Sequence, residues 1–416
     1  MDQARFDIPM TARPDRALIE QAARMLVEAR NPLLHFGDEV TWCHAEKELL
    51  ELAELLGMPA TEAGRIAMWS KPFPTRHYLY QDQIRQTIGF PQEPDVVISV
   101  GSRSPAPVNR RSRFIDIRLD PTRGEYSAGN PLDAVQGSFR NVAPVDVGII
   151  ADIKVALTDL LAAVRSLATA QRLKQIADPR IALARGYDAK VQDFRNDLAK
   201  KEWDRNTLNM ARLAMELENV LEKDTCIVEN FDSGNEALCQ ALMNVGGENK
   251  RWFTQTAVVL GWGVSAAFGV KLARPDSPVV AIVGDGEFMF RGPQPLWSYA
   301  RYHAPVTVIV DNNRGYENER HRLWLNGGRQ FETGRDMICY NGDPEIDFAK
   351  LASALGVEGE TVLEPASLRP ALERAKRANA DGRPYLLDVH TERGGIGGES
   401  TWHPPYSIAA RRTRRV

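Results

Sequence analysis

Cysteine is scarce in this chain. Four occur in 416 residues (Cys43, Cys226, Cys239 and Cys339), far apart and without a CxxC pair. That spacing argues against a cysteine-based zinc site and a disulfide framework. Small buried thiols are the expected role. Long apolar runs are also missing, and none approaches the ~20 residues of a membrane span. The opening MDQARFDIPM has no basic stretch leading into an apolar core, so no secretory signal is expected. Reduced thiols and a cytoplasmic location are the corresponding expectation. Charge of one sign is not in excess either: 52 basic residues face 55 acidic ones, for a net −3. Nothing in that balance points to bulk nucleic-acid binding. No internal repeat or low-complexity tract is present.

What is there reads as an ordinary globular chain, 43% hydrophobic and 26% charged, and long enough for two or three domains. DRALIEQAARMLVEAR carries apolar residues at helical intervals, opened by Asp15 as an N-cap. Asn31-Pro32 stops it. Short apolar runs at 33–36, 96–101 and 114–120 alternate with helical patterns at 45–56 and 152–167. Such alternation predicts a parallel sheet covered by helices. Residues 166–207 are charged and helical in periodicity, and read as a linker. Alternation then resumes with TCIVEN, VVAIV, VTVIV and YLLDVH as strands. The expected organisation is an α/β chain with two doubly wound parallel-sheet domains, at 14–165 and 208–390. A Gly-rich and then Arg-rich tail at 391–416 is a candidate lid.

Two of those apolar runs end in polar residues. VVAIV is followed by Gly284-Asp285-Gly286, and VTVIV by Asp311-Asn312-Asn313. Asn313 follows Asp285 by 28 residues, the length of one helix, one strand and two turns. A strand–helix–strand unit of one preferred hand brings both strand ends to the same sheet edge. Open α/β sheets bind ligands there. A carboxylate and an amide oxygen meeting at that edge suit Mg²⁺ and a phosphate. Each motif alone has a bland reading, since Asp at a strand end is often a helix cap and Asn-Asn a turn. A second chemistry stays open: Gly261-Trp-Gly263-Val-Ser-Ala266 is a literal GxGxxA, with Asp285 22 residues past Gly263. That matches a dinucleotide fingerprint, though it leaves Asn312-Asn313 unexplained.

GDG followed after just under thirty residues by NN resembles the thiamine diphosphate-binding signature. Its bearers include acetolactate synthase, pyruvate and benzoylformate decarboxylases, and 2-hydroxyacyl-CoA lyases. The resemblance implies Mg²⁺ held by Asp285, Asn313 and the carbonyl of Gly315. It implies cofactor contacts from Leu260 (the bulky residue that props the cofactor into its bent shape), Gly261, Gly286, Glu287, Asn313 and Tyr316. Asp232, Ser233, Gly234 and Asn235 stand where the family's diphosphate loop lies. Asp311 departs from the pattern, which usually has an apolar residue there. Residues 15–161 resemble the middle domain of the same family, through NPLLHFGDEV, PDVVISVGSR and FIDIRLDP. In some relatives this domain binds FAD or ADP, and Gly101-Ser-Arg103 is similar to the flavin-binding variants. An unliganded scaffold is the expectation here.

Full-length members carry a pyrimidine-binding domain first, and no counterpart of it is found in this sequence. The glutamate that activates the cofactor is therefore expected on a separate pyrimidine-binding subunit of roughly 150–200 residues, one ordinary domain. An α2β2 assembly is the corresponding expectation. Of the remaining polar residues, His321 follows the metal loop, while Glu399 and His403 sit in the Gly- and Pro-rich tail; these three are the catalytic candidates on this chain. The resemblance implies a thiamine diphosphate- and Mg-dependent lyase or carboligase acting on a 2-oxo acid or a similar carbonyl substrate. A 2-hydroxyacyl-CoA lyase subunit, with the arginine tail gripping phosphates, is the alternative within the class. A NAD-type oxidoreductase and a non-catalytic relative are the alternatives outside it.

Overall fold

The computed structural model describes residues 12–62, 71–81, 93–102, 111–120, 145–203, 205, 208–230, 242–243, 251–254, 260–336, 338–394 and 398. They form two compact units. One runs through Phe194 and the other begins at Arg195.

The first unit holds five parallel strands: β1 (Pro32–Phe36), β2 (Ala60–Glu62), β3 (Val96–Val100), β4 (Arg113–Arg118) and β5 (Val147–Ile150), in the order β2-β1-β3-β4-β5. β1 and β3 are buried at every position. Burial on both faces is why these strands read as continuous apolar runs without alternation. Asp15 caps the helix Arg16–Glu28 by accepting from the Ala17 amide at 2.7 Å. Asp152 caps Ile153–Leu167 by accepting from the Val155 amide at 3.0 Å. The strand order reverses between β1 and β3. At that point a Cβ on Gly37 would lie 2.4 Å from the Gly101 carbonyl oxygen, so the two strand ends approach too closely for any side chain.

Residues Ala170–Trp203 form one helix. Only scattered positions along it are buried. Leu173 and Ala184 belong to the core of the first unit. Leu198, Ala199 and Trp203 pack on that of the second.

The second unit is a six-stranded parallel sheet: β6 (Cys226–Asn230), β7 (Trp252–Thr254), β8 (Val279–Gly284), β9 (Thr307–Asn312), β10 (Glu358–Val362) and β11 (Tyr385–His390). Their order is β10-β11-β9-β8-β6-β7. Successive side chains of a strand point to opposite faces. Val280 and Ile282 of β8 accordingly pack with Leu213, Leu217 and Leu372 on one side. Ala281 and Val283 pack with Val264, Leu296 and Tyr299 on the other. The second sheet thus carries helices on both faces, and the described helices of the first unit pack with Leu34, Phe36, Ile98 and Ile115 in one core.

Among the described residues no helix is long and apolar enough to cross a membrane. β10 was not visible in the sequence because EGETV lies at the sheet edge and buries only its last residue. Gly284-Asp285-Gly286 also differs from a simple turn, for Asp285 opens a helix, Asp285–Arg291, directly off β8.

Candidate active site

β8 and β9 are hydrogen-bonded neighbours, with Gly284 opposite Asp311. Asp285, one residue past β8, and Asn313, one residue past β9, therefore emerge side by side. Asp285 is 2% exposed. Its carboxylate accepts from the backbone amides of Gly286 and Gly315 and, at 3.4 Å, from Asn341 Nδ2. Burial, then the neighbouring Asp311, pushes the Asp285 carboxyl up to about 7. A desolvated carboxyl beside a like charge favours its neutral form, and a bound cation would reverse that preference.

The two asparagines have separate tasks. Asn312 builds the turn: its Oδ1 accepts from the Arg314 amide at 3.2 Å, and its Nδ2 donates to Asp388 Oδ1 at 2.8 Å. Arg314 then takes a left-handed φ of 59°. Asn313 Nδ2 donates to Glu317 Oε2 at 2.9 Å. Its Oδ1 is buried and has no hydrogen-bond partner. Buried acceptors without partners are uncommon and ask for an explanation such as an ion.

Gly315 pairs with Tyr340 through a short antiparallel bridge. The flanking bonds run from the Tyr316 amide to the Cys339 carbonyl, 2.9 Å, and from the Asn341 amide to the Arg314 carbonyl, 2.8 Å. In such a pair the residue's own N–H and C=O point away from the partner strand. The Gly315 N–H meets Asp285, so its carbonyl faces the same side. Only glycine fits, because a Cβ would lie 2.5 Å from the Cys339 carbonyl oxygen.

Asp285, Asn313 and Gly315 line one cavity of about 30 Å³, together with Leu260, Gly284, Glu287, Asp311, Tyr316, Glu317, Asn318 and Glu319. That is room for an ion or a water. A carboxylate, an amide oxygen and a backbone carbonyl make an all-oxygen set suited to Mg²⁺. Among the described residues no group of three or more His, Cys, Asp and Glu side chains is placed to hold a metal. A donor set with one carboxylate is a different kind of site, and these residues fit it.

Of the other residues singled out in the sequence, Leu260, Glu287 and Tyr316 line this cavity. Gly286 lies beneath the Tyr316 ring, where a Cβ would come 2.6 Å from Cδ1. Gly261 has a φ of 78° and starts the helix Trp262–Ala273. His321 stands on the helix Glu317–Leu325, outside the cavity lining. Asp232, Ser233, Gly234, Asn235, Glu399 and His403, like Arg103, lie outside the described residues. Sequence reasoning gave no role to Asn341, Asn318 or Glu319. Asn341 carries no signal, since it reaches Asp285 from 56 residues away. The last strand described before the GxGxxA segment is β7, a three-residue edge strand, where a dinucleotide fingerprint requires the strand that opens the fold.

Fold and site together define a parallel α/β protein with an oxygen-lined, ion-sized cavity at adjoining strand ends. Residues 19–160 match the model of the thiamine pyrophosphate enzyme central domain. Residues 232–389 match that of the thiamine pyrophosphate enzyme C-terminal TPP binding domain. The chain belongs to the thiamine pyrophosphate enzyme family, of which it carries these two domains. It is 27% identical over 399 residues to a probable acetolactate synthase large subunit of Methanocaldococcus jannaschii, covering 89% of this chain and 59% of the relative. It is 28% identical over 388 residues to benzoylformate decarboxylase of Pseudomonas aeruginosa, covering 92% and 65%. The chain therefore spans less than two thirds of the length of these relatives. Its fold matches the crystal structure of benzoylformate decarboxylase from Polynucleobacter necessarius with a TM-score of 0.68 at 17% identity, over 92% of this chain and 66% of the other.

Proposed function

We propose that this chain is the cofactor-anchoring subunit of a thiamine diphosphate- and Mg²⁺-dependent lyase or carboligase acting on a 2-oxo acid or a similar carbonyl compound. The observation that carries this reading is the pairing of Asp285 with the unpartnered Asn313 Oδ1 at one ion-sized cavity. Thiamine diphosphate, when bound, supplies the electron sink for making or breaking a bond beside a carbonyl. The residues of this chain bind and orient it. Asp285, Asn313 and Gly315 would hold the metal, which would neutralise charge on the diphosphate, and Leu260 and Tyr316 border the same space.

The activating glutamate comes from a separate pyrimidine-binding subunit. Apolar surface beside the cavity supports this part of the reading. Phe290 is 57% exposed and packs edge-on against Tyr316, ring centroids 5.8 Å apart. Large exposed aromatics are the usual anchors of a protein interface.

Thermal unfolding tests the assignment. Thiamine diphosphate with Mg²⁺ is expected to raise the Tm, and NAD is not. Asp285→Ala should abolish the gain, whereas full retention would falsify the metal assignment. Purified chain that turns over a 2-oxo acid at ordinary enzyme rates by itself would overturn the two-subunit part.

A further inference from the structure

An asparagine can serve a metal only if its oxygen, and not its nitrogen, faces the ion. Nothing in the amide itself selects between the two orientations, which differ by a half-turn and have nearly the same shape. In this protein the selection comes from Glu317, four residues on and the first residue of the helix Glu317–Leu325. Asn313 Nδ2 donates to Glu317 Oε2 at 2.9 Å. An ionised carboxylate only accepts. The reverse orientation would therefore set the amide oxygen against the carboxylate, and would turn the NH₂ toward the ion.

Glu317 is itself fixed. Its other oxygen, Oε1, accepts from Arg320 Nη2 at 3.0 Å. Side-chain exposure is 1% for Arg320 and 3% for Glu317. The same Arg320 nitrogen also donates to the Gly394 carbonyl. A buried arginine thus links the carboxylate to the backbone that follows β11.

We infer that Glu317 is a positioning residue for the metal site. By accepting from Nδ2 it fixes the Asn313 side chain with Oδ1 toward Asp285, and Arg320 holds Glu317 in place to do so. The inference rests on the metal reading above and deepens it. Partners that orient a ligand commonly contribute 10–100-fold in metal affinity.

The test uses the full chain and reads binding of Mn²⁺ with thiamine diphosphate, by titration calorimetry and by the Mn²⁺ electron paramagnetic resonance signal. Asp285→Ala serves as the control for the metal reading. If wild type and Asp285→Ala bind alike, the metal assignment itself fails. If wild type binds and Asp285→Ala does not, Glu317→Ala is expected to bind at least ~10-fold more weakly than wild type. The decisive variant is Glu317→Ala combined with Asn313→Asp. A carboxylate presents oxygen in either orientation, so the double variant should regain most of the lost affinity. A merely structural role of Glu317 gives no rescue beyond the gain that Asn313→Asp alone brings to the otherwise wild-type chain, where the added carboxylate also attracts the cation. Should Glu317→Ala not fold, Glu317→Met with Arg320→Met replaces the buried pair by apolar chains of similar volume and carries the same expectation, including rescue by Asn313→Asp. Unchanged Mn²⁺ affinity without Glu317, or a loss that Asn313→Asp leaves as it was, overturns the inference.

Discussion

Asp311 and Asp285 stand at adjoining strand ends as two buried carboxyls, 1% and 2% exposed, and line the same cavity. An apolar residue at position 311 would leave Asp285 with burial alone to oppose its ionisation. With Asp311 in place the Asp285 carboxyl is pushed up to about 7.

The pH dependence follows from that direction. Between about 4, where a carboxyl ordinarily titrates, and about 7, native Asp285 keeps a proton that the unfolded chain has lost. Its contribution to the stability of the metal-free protein is full below the lower value and is lost as pH rises through the upper one. On the proposed reading Mg²⁺ would bind the ionised form and would have to displace that proton below pH 7. The gain in Tm from Mg²⁺ with thiamine diphosphate is expected to be larger at pH 8 than at pH 6. At pH 6 the apparent metal affinity should be about tenfold lower. Calorimetric titration at the two pH values checks this, and equal affinities would contradict it.

Asn312 gives a stability prediction that is independent of any ligand. Its amide satisfies the buried Asp388 and the backbone at Arg314. Asn312→Ala leaves both without that partner and is expected to cost about 1–3 kcal/mol in urea unfolding. A change below about 0.5 kcal/mol, the range of an unremarkable surface substitution, would show that the turn does not depend on this side chain.

The thiols give a third. Burial pushes Cys43 up to about 11, and burial followed by Asp336 pushes Cys339 up to about 12. Only the thiolate reacts. At pH 8 the reactive fraction of each is on the order of one in a thousand or less. Iodoacetamide should modify both far more slowly in the native protein than after denaturation, as peptide mapping by mass spectrometry would show. Rapid native labelling of either would contradict the assigned environments.

The parts of the fold legible in the sequence were those whose burial is uniform. β1, β3, β8 and β9 are buried along their whole length, so their apolar runs announced them. β10 was not legible, because an edge strand faces neighbours on one side only and EGETV can remain polar. The candidate ion pocket was half legible. Asp285 and Asn313 sit at fixed offsets from strand ends, and sequence spacing carries that relation. Asn341 and Cys339 reach the site through a return of the chain, which no local pattern encodes. Asp311 was visible as a departure, but its effect on Asp285 needed the β8–β9 register.

The consecutive asparagines after β9 look like one word in the sequence and are two in the molecule. Asn312 is spelled for the backbone: another residue that accepts from the Arg314 amide and donates to Asp388 would serve there. Asn313 leaves its Oδ1 buried without a partner, and on the proposed reading it is spelled for an ion, where only an oxygen will do. Substitutions at the two positions should therefore be tolerated by different rules, one read in folding and the other in affinity. A library randomised at both would separate the grammar of the turn from that of the metal.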